Sequence, residues 1–343
     1  MRSKVRMIDI AKKAEVTSAT VSMALNNHPR ISAATKERIL RICEELDYHP
    51  DPVAKALALS GSDESKSSYL GTIALLESEE RFQQVERFPE VRGWHAQLTE
   101  ICSNAGYKLD HFVVGSTKKE QQSLSRILQT RGVCGLLVYG SNQEIHNWGI
   151  DWSRFATVVY GGSLHEHFVH HVMSCSYQDV YDAVIKLHKM GYKRPGYFMV
   201  GPYFDHWAAG FSSAFETWGR VKKTPKLVLE GSFARNDQRK IFFDWFQRYE
   251  PDVIVANYDE YFLQMLSEKG LRAPDDVGYL CLDVWPSMKH LSGLIQRRDV
   301  SYRVMVDLIH GMLMRHEFGP PEQPYCIQIP SIWNEGRTLR RGE

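Results

Sequence analysis

From Tyr69 to Leu282 the chain alternates short apolar runs with stretches of helical periodicity, and that alternation limits its fold more than any other feature. Runs of strand character over 70–76, 108–114, 135–139, 157–160, 196–200, 226–229, 253–256 and 277–282 are separated by helical patterns over 93–106, 119–131, 177–190, 210–218, 238–248 and 260–269. Strand, crossover and strand in repeated order build parallel sheets covered by helices. A further helical pattern over 301–314 and a late strand over 326–330 follow. The fold class is therefore α/β, with enough alternation for two similar halves and a cleft between them.

The first fifty residues read differently. Met7, Ile10, Ala11 and Ala14 recur at i, i+3, i+4 and i+7, which makes one apolar helix face. Thr17 is placed to cap a second helix, Ser18 to Leu25, with Val21 and Leu25 inward and small polar residues outward. Ser32 to Thr35 opens a third helix running to about Asp47, with Ile39, Ile42, Cys43 and Leu46 on its buried stripe and Pro50 beyond its end. Three such helices have the size of a DNA-binding module. The net charge of +1 advertises no nucleic-acid partner, but its distribution does. Between Arg2 and Arg41 nine basic side chains face only Asp9, Glu15 and Glu37. Residues 51–59 have the pattern of a short helix, and 60–68, Ser-Gly-Ser-Asp-Glu-Ser-Lys-Ser-Ser, has the composition of a linker.

The text from Ile8 to Asn26, I-D-I-A-K-K-A-E-V-T-S-A-T-V-S-M-A-L-N, closely resembles the headpiece of the lactose-repressor (LacI/GalR) family. The match continues through Ile31-Ser32, Thr35, Ile39 and Leu46-x-Tyr48-x-Pro50. This resemblance implies an all-α helix-turn-helix headpiece with a hinge helix over 1–59, a linker over 60–68, and a two-lobed periplasmic-binding-protein-like domain with parallel sheets over 69–338, which binds an effector and dimerises. Ser18, Ala19 and Met23 occupy the family's base-reading positions, while Thr17, Thr20, Ser22 and Asn26 occupy phosphate-contacting ones. Arg30 belongs with this DNA-contacting set, Lys55 is placed to approach a phosphate, and Leu57 matches the leucine that wedges between base steps and kinks the duplex. Two residues depart from the pattern. Met23 replaces the usual Arg, removing a bidentate guanine contact and leaving apolar contact to a thymine methyl. Glu15 replaces the usual Gly of the turn, and a left-handed backbone there costs on the order of 1 kcal/mol.

Weaker resemblance runs from Gly71 to Gly336. It implies a ligand held between two lobes at the carboxyl ends of their strands. Asp283, Gln296 and one of Asn257 or Asp259 match pocket positions whose chemistry suits a hydroxyl-rich ligand. Trp207 stands where the family has an Arg, and two readings stay open: a ring stacked on a sugar face, or a pocket that has lost its ancestral ligand. Phe88, Trp94, Trp148 and Trp285 lie near predicted strand ends, and simple core packing is the first reading for each. The implied function is a DNA-binding transcription regulator, a repressor by family habit, working as a homodimer on double-stranded operator DNA under control of a small-molecule effector of carbohydrate class. The alternatives are a cytoplasmic solute-binding protein and an α/β enzyme without DNA function.

The six cysteines show no C-x-x-C spacing, which argues against a metal site or disulfide framework. His165, His167, His170 and His171 read as a solvated loop rather than a ligand set. No G-x-S-x-G, Walker or H-E-x-x-H motif stands out, so the expectation is no catalytic residue, no metal and no cofactor. Without an apolar leader or spanning run, a cytoplasmic protein with no membrane partner is expected. A dimer is favoured over a tetramer because no heptad tail follows the last strand.

Overall fold

The structure is a computed structural model; it describes residues 6–25, 31–46, 48, 69–139, 148–161, 168–200, 206–222, 228–231, 235–256 and 260–341. Three helices form the N-terminal unit: α1 (Met7–Lys13), α2 (Ser18–Leu25) and α3 (Ala33–Glu45). They meet through Ile10, Ala11, Ala14, Val21, Ala24, Ile39, Ile42 and Cys43, the inward stripes that the spacing predicts, with Leu25 and Leu46 half-buried at the margin. Thr17 Oγ1 accepts the Thr20 backbone N–H at 3.1 Å, and Ser32 Oγ accepts that of Thr35 at 3.2 Å. Each cap satisfies a helix-start donor otherwise left to water. Glu15 adopts φ 52, the left-handed conformation that its glycine-like position demands.

Two six-stranded sheets follow. The first lobe is built from β1 (Gly71–Ser78), α4 (Glu79–Arg87), α5 (Pro89–Asn104), β2 (Tyr107–Val114), α6 (Lys118–Thr130), β3 (Val133–Tyr139), β4 (Ala156–Tyr160) and β5 (His170–Ser174). The second holds α7 (Ser176–Lys189), β6 (Pro195–Val200), α8 (His206–Lys222), β7 (Val228–Gly231), α9 (Arg235–Tyr249), β8 (Val253–Ala256), α10 (Glu260–Glu268), β9 (Gly278–Cys281) and β10 (Gly293–Ile295). The chain then returns with α11 (Arg298–Met314) and β11 (Cys326–Ile329) to the first lobe and with β12 (Ile332–Asn334) to the second. The first sheet runs β11-β5-β4-β3-β1-β2, with every pairing parallel. The second runs β12-β10-β9-β8-β6-β7, and only β12 is antiparallel to its neighbour. β1 is buried over seven consecutive residues, the signature of a strand with helices on both faces.

Three passages therefore join the lobes: β5 to α7, β10 to α11, and β11 to β12. Two are tied together. The Asp179 carboxylate on α7 accepts the Ser331 hydroxyl at 2.6 Å and the Ser331 backbone N–H at 3.0 Å. Burial pushes the Asp179 carboxyl up, and the Ser331 bonds pull against that rise.

At β5 the structure departs from the expectation of a loop. His170 and His171 are not solvated loop residues; they form strand, 4% and 3% exposed. His171 Nδ1 lies 2.8 Å from the Val169 carbonyl, and His170 Nδ1 accepts the Tyr325 backbone N–H at 2.9 Å. The His170 ring is satisfied from the β11 side and β11 pairs with the strand itself, which is why a local pattern misjudges these residues. Helix α4, β10 and β12 were also not expected; α4 buries no residue fully, and the two strands have only three residues each.

Candidate functional site

In α2, Val21 and Ala24 point into the headpiece core, so the helix turns Ser18 and Ala19 fully outward and Met23 and Ser22 partly so. Thr17 is exposed at the helix start and its hydroxyl lies 2.9 Å from that of Thr20. The projecting side chains are uncharged and, Met23 apart, small, which would let a helix backbone settle close to base edges in a major groove. Lys12 and Lys13 on α1 and Arg38 and Arg41 on α3 are exposed. Lys13 is drawn to Glu45 at 2.8 Å, and its ammonium holds the Glu45 carboxyl below the usual range. Asn26, Arg30, Lys55 and Leu57 lie outside the described residues.

The second candidate site lies where the carboxyl ends of the strands of both lobes meet. Asp283 follows β9, Gln296 follows β10, and Arg298 opens α11. Arg298 grips Asp283 through two N–H···O bonds, Nη1 to Oδ1 at 3.1 Å and Nη2 to Oδ2 at 2.6 Å. Trp285 Nε1 donates to the same Oδ2 at 3.0 Å. The Arg298 guanidinium lies over the Trp94 ring at 4.1 Å, and the Trp285 ring meets Phe88 and Trp94 edge-on at 5.5 and 5.1 Å. Burial works against the Arg298 charge, but Asp283 outweighs it and holds the group above even the usual guanidinium range. Trp94 and Phe88 belong to the first lobe and Trp285 and Asp283 to the second, so these contacts bridge the cleft.

Three tyrosines back this wall. Tyr160 packs against Tyr139 and Tyr302 with ring centroids 5.4 and 5.7 Å apart, and the Tyr139 and Tyr302 hydroxyls are hydrogen-bonded to each other. Burial pushes the Tyr139 hydroxyl up to about 12 and raises Tyr160 as well, so both stay neutral hydrogen-bonding groups. Arg81 stacks over Tyr139 at 4.7 Å and brings Nε to 3.8 Å from the buried Glu77 carboxylate. Burial would push Glu77 up, yet His111 and His95 beside it hold it down at about 2, so this carboxylate is ionised. Gln296 is 9% exposed and its Nε2 has no hydrogen-bond partner, a buried donor with its capacity unspent.

Of the pocket residues expected from sequence, the structure brings Asp283 and Gln296 to the cleft. Trp207 is the second residue of α8, with its side chain outside the description, and Asn257 and Asp259 are not among the described residues. Trp148 is core, 5% exposed and stacked on Trp152. Phe88, Trp94 and Trp285 are not simple core; they line the cleft. Arg81, Tyr139, Tyr160, Arg298 and Tyr302 were missed. A signal existed for two of them: Tyr139 and Tyr160 end buried apolar runs with a hydroxyl-bearing ring.

Residues 6–51 match the family described as "Bacterial regulatory proteins, lacI family". The HTH-type transcriptional regulator MalR of Streptococcus pneumoniae serotype 4 is 29% identical over 191 residues, 54% of each chain, so the match spans about half of that relative. The HTH-type transcriptional repressor PurR of Escherichia coli O139:H28 is 24% identical over 345 residues, 97% of this chain and 96% of PurR. Two solved structures share the fold. A lac repressor dimer bound to operator and the anti-inducer ONPF aligns over 98% of this chain and 100% of its own, at TM-score 0.61 and 16% identity. A complex of the transcriptional regulator CelR with cellobiose aligns over 97% and 100%, at TM-score 0.61 and 19% identity. No helix among the described residues is long and apolar enough to cross a membrane. The helix-turn-helix over residues 6–51 and the paired parallel sheets thus agree with these relatives, and along its length the chain is similar to DNA-binding transcriptional regulators of the lacI family.

Proposed function

We propose that the protein is a homodimeric repressor that reads operator DNA with α2 and adjusts its grip when a carbohydrate-class effector enters the cleft. The observation that carries this reading is the outward face of α2, where Ser18, Ala19 and Met23 stand together beside the Thr17 cap. Residues 1–59 act as headpiece and hinge, 60–68 as linker and 69–338 as effector and dimerisation domain. Thr17, Thr20, Ser22, Asn26, Arg30 and Lys55 hold phosphates, and Leu57 wedges the operator centre. Aromatic walls and an unspent amide donor suit the apolar faces and hydroxyls of a sugar ring. The work of the cleft is binding: Asp283, Gln296, Arg298 and the surrounding rings offer no activated nucleophile.

Selection from a random duplex library with the full-length protein tests the DNA reading. One palindromic motif with a central pyrimidine-purine step is expected, and affinity should fall steeply with added salt as phosphate contacts are lost. A flat salt response excludes DNA as the partner.

A second reading of the cleft rests on a specific observation. Asp283 is already occupied by Arg298 and Trp285, so the lobes are held together by the chain's own side chains. In that reading operator binding needs no effector. Tryptophan fluorescence under titration with mono- and disaccharides separates the two, because Trp94 and Trp285 sit in the wall. A saturable change supports the effector, and none across the panel supports the self-closed cleft.

A further inference from the structure

Three side chains behind the cleft wall, none of them assigned to effector binding, converge toward the first lobe's edge. Glu77 lies near the end of β1 on the face that α5 covers. The β1–β2 register pairs Leu75 with His111, two residues back on the same face, so His111 is a diagonal neighbour of Glu77. On α5, Leu98 packs onto Leu75 and Ile73 in one core cluster. His95, one turn earlier on that helix, therefore lies over Glu77. The result is a carboxylate with 0% exposure between two imidazoles, with Glu77 Oε1 at 3.0 Å from His95 Nε2 and Oε2 at 2.5 Å from His111 Nε2. The three ligand atoms all lie within 4.8 Å of one another.

We propose that Glu77, His95 and His111 bind a divalent first-row transition-metal ion, zinc being the best fit, as a two-histidine, one-carboxylate site. The donor set decides the class. Two imidazoles and a carboxylate suit zinc and its neighbours, whereas magnesium and calcium seek oxygen ligands. Ligands at about 2.0–2.1 Å from a tetrahedral zinc stand roughly 3.4 Å apart, so the heads need to shift by less than an ångström. The contact between His111 and Oε2 is short but misaligned for an N–H···O bond, and Oε2 has no hydrogen-bond donor. A cation between the heads would satisfy that oxygen and both Nε2 lone pairs together. Water supplies the fourth ligand through the imidazole side, where His95 and His111 are 14% and 28% exposed. Arg81 opposes the ion, since its Nε, 3.8 Å from Glu77, brings positive charge to the same carboxylate. Its stacking over Tyr139 connects the site physically to the cleft wall.

The test uses full-length protein stripped with a chelator and dialysed, titrated with zinc in competition with a chromophoric chelator, with magnesium as control. One equivalent of zinc per chain is expected at this site, with a rise in Tm. His111→Gln and His95→Gln should each weaken zinc binding by at least about 10-fold and lose the Tm rise. Zinc binding unchanged in both variants, or no tighter than that of magnesium, overturns the proposal. Cobalt absorption of the unaltered protein decides the matter should a variant fail to fold. Intense visible bands of a four- or five-coordinate ion support the site, while a pale octahedral spectrum or thiolate charge-transfer bands refute it.

Discussion

At the scale of single residues, Met23 is one of the positions where this chain departs from the headpiece pattern it resembles, and it stands half-exposed on the outward face of α2. Met23→Arg should restore a bidentate guanine contact and shift preference at one operator base by about 1–3 kcal/mol, which competitive binding to single-base operator variants would measure. An unshifted preference would mean that residue 23 does not face a base. His170 carries a different kind of prediction. Its Nδ1 accepts the Tyr325 N–H, which only the neutral ring can do, and burial lowers its pKa from the usual 6.5. The unfolded chain takes up this proton first as pH falls, so the His170 contribution is complete above about 6.5 and is lost as pH drops from there toward the folded value. His170→Gln keeps an acceptor for Tyr325 but cannot titrate, so its Tm should fall less between pH 7 and 5 than that of the parent. Equal slopes would show that His170 is not the group responsible.

At the scale of elements, the sequence is legible wherever an element is long and its neighbours are local. The faces of α1, α2 and α3 follow from spacing alone, and the long helices and central strands appear within a few residues of their predicted places because period and burial agree. What escapes is set by distant partners. His170 and His171 look like surface until Tyr325 and β11, about 150 positions later, cover them. The metal-ligating trio escapes for the same reason, since Glu77, His95 and His111 are 18 and 16 positions apart and no short motif joins them. Arg298 was equally invisible, because only the return of α11 carries it to Asp283. In α2 the Thr17 cap is testable: Thr17→Ala should cost about 1 kcal/mol of headpiece stability in thermal unfolding followed by circular dichroism. A cost near zero would assign the helix start to other contacts.

At the scale of the whole molecule, the lobes are joined across the cleft by the Asp283–Arg298 pair and the rings around it. Removing one partner of a largely buried ion pair strands the other, and such losses run to about 3–5 kcal/mol. Asp283→Ala should therefore destabilise the chain by that order in denaturant unfolding. The double replacement Asp283→Leu with Arg298→Met should recover much of it, because no charge is then left buried. If the double variant is as damaged as the single one, the pair is holding something beyond its own charges.

The chain's late return to both lobes also has a genetic reading. Everything after Gln296 supplies α11 and β11 to the first sheet's lobe and β12 to the second, and Thr338 then bonds Tyr279 and Ser292 within the latter. A premature stop between α11 and β11 would bare the β5 edge and strip β10 of its outer partner β12, leaving two sticky borders that invite aggregation. Nonsense mutations in the codons between α11 and β11 should thus behave as complete nulls. Intragenic complementation between separately expressed fragments is expected only when the break falls between α3 and β1, ahead of the first sheet.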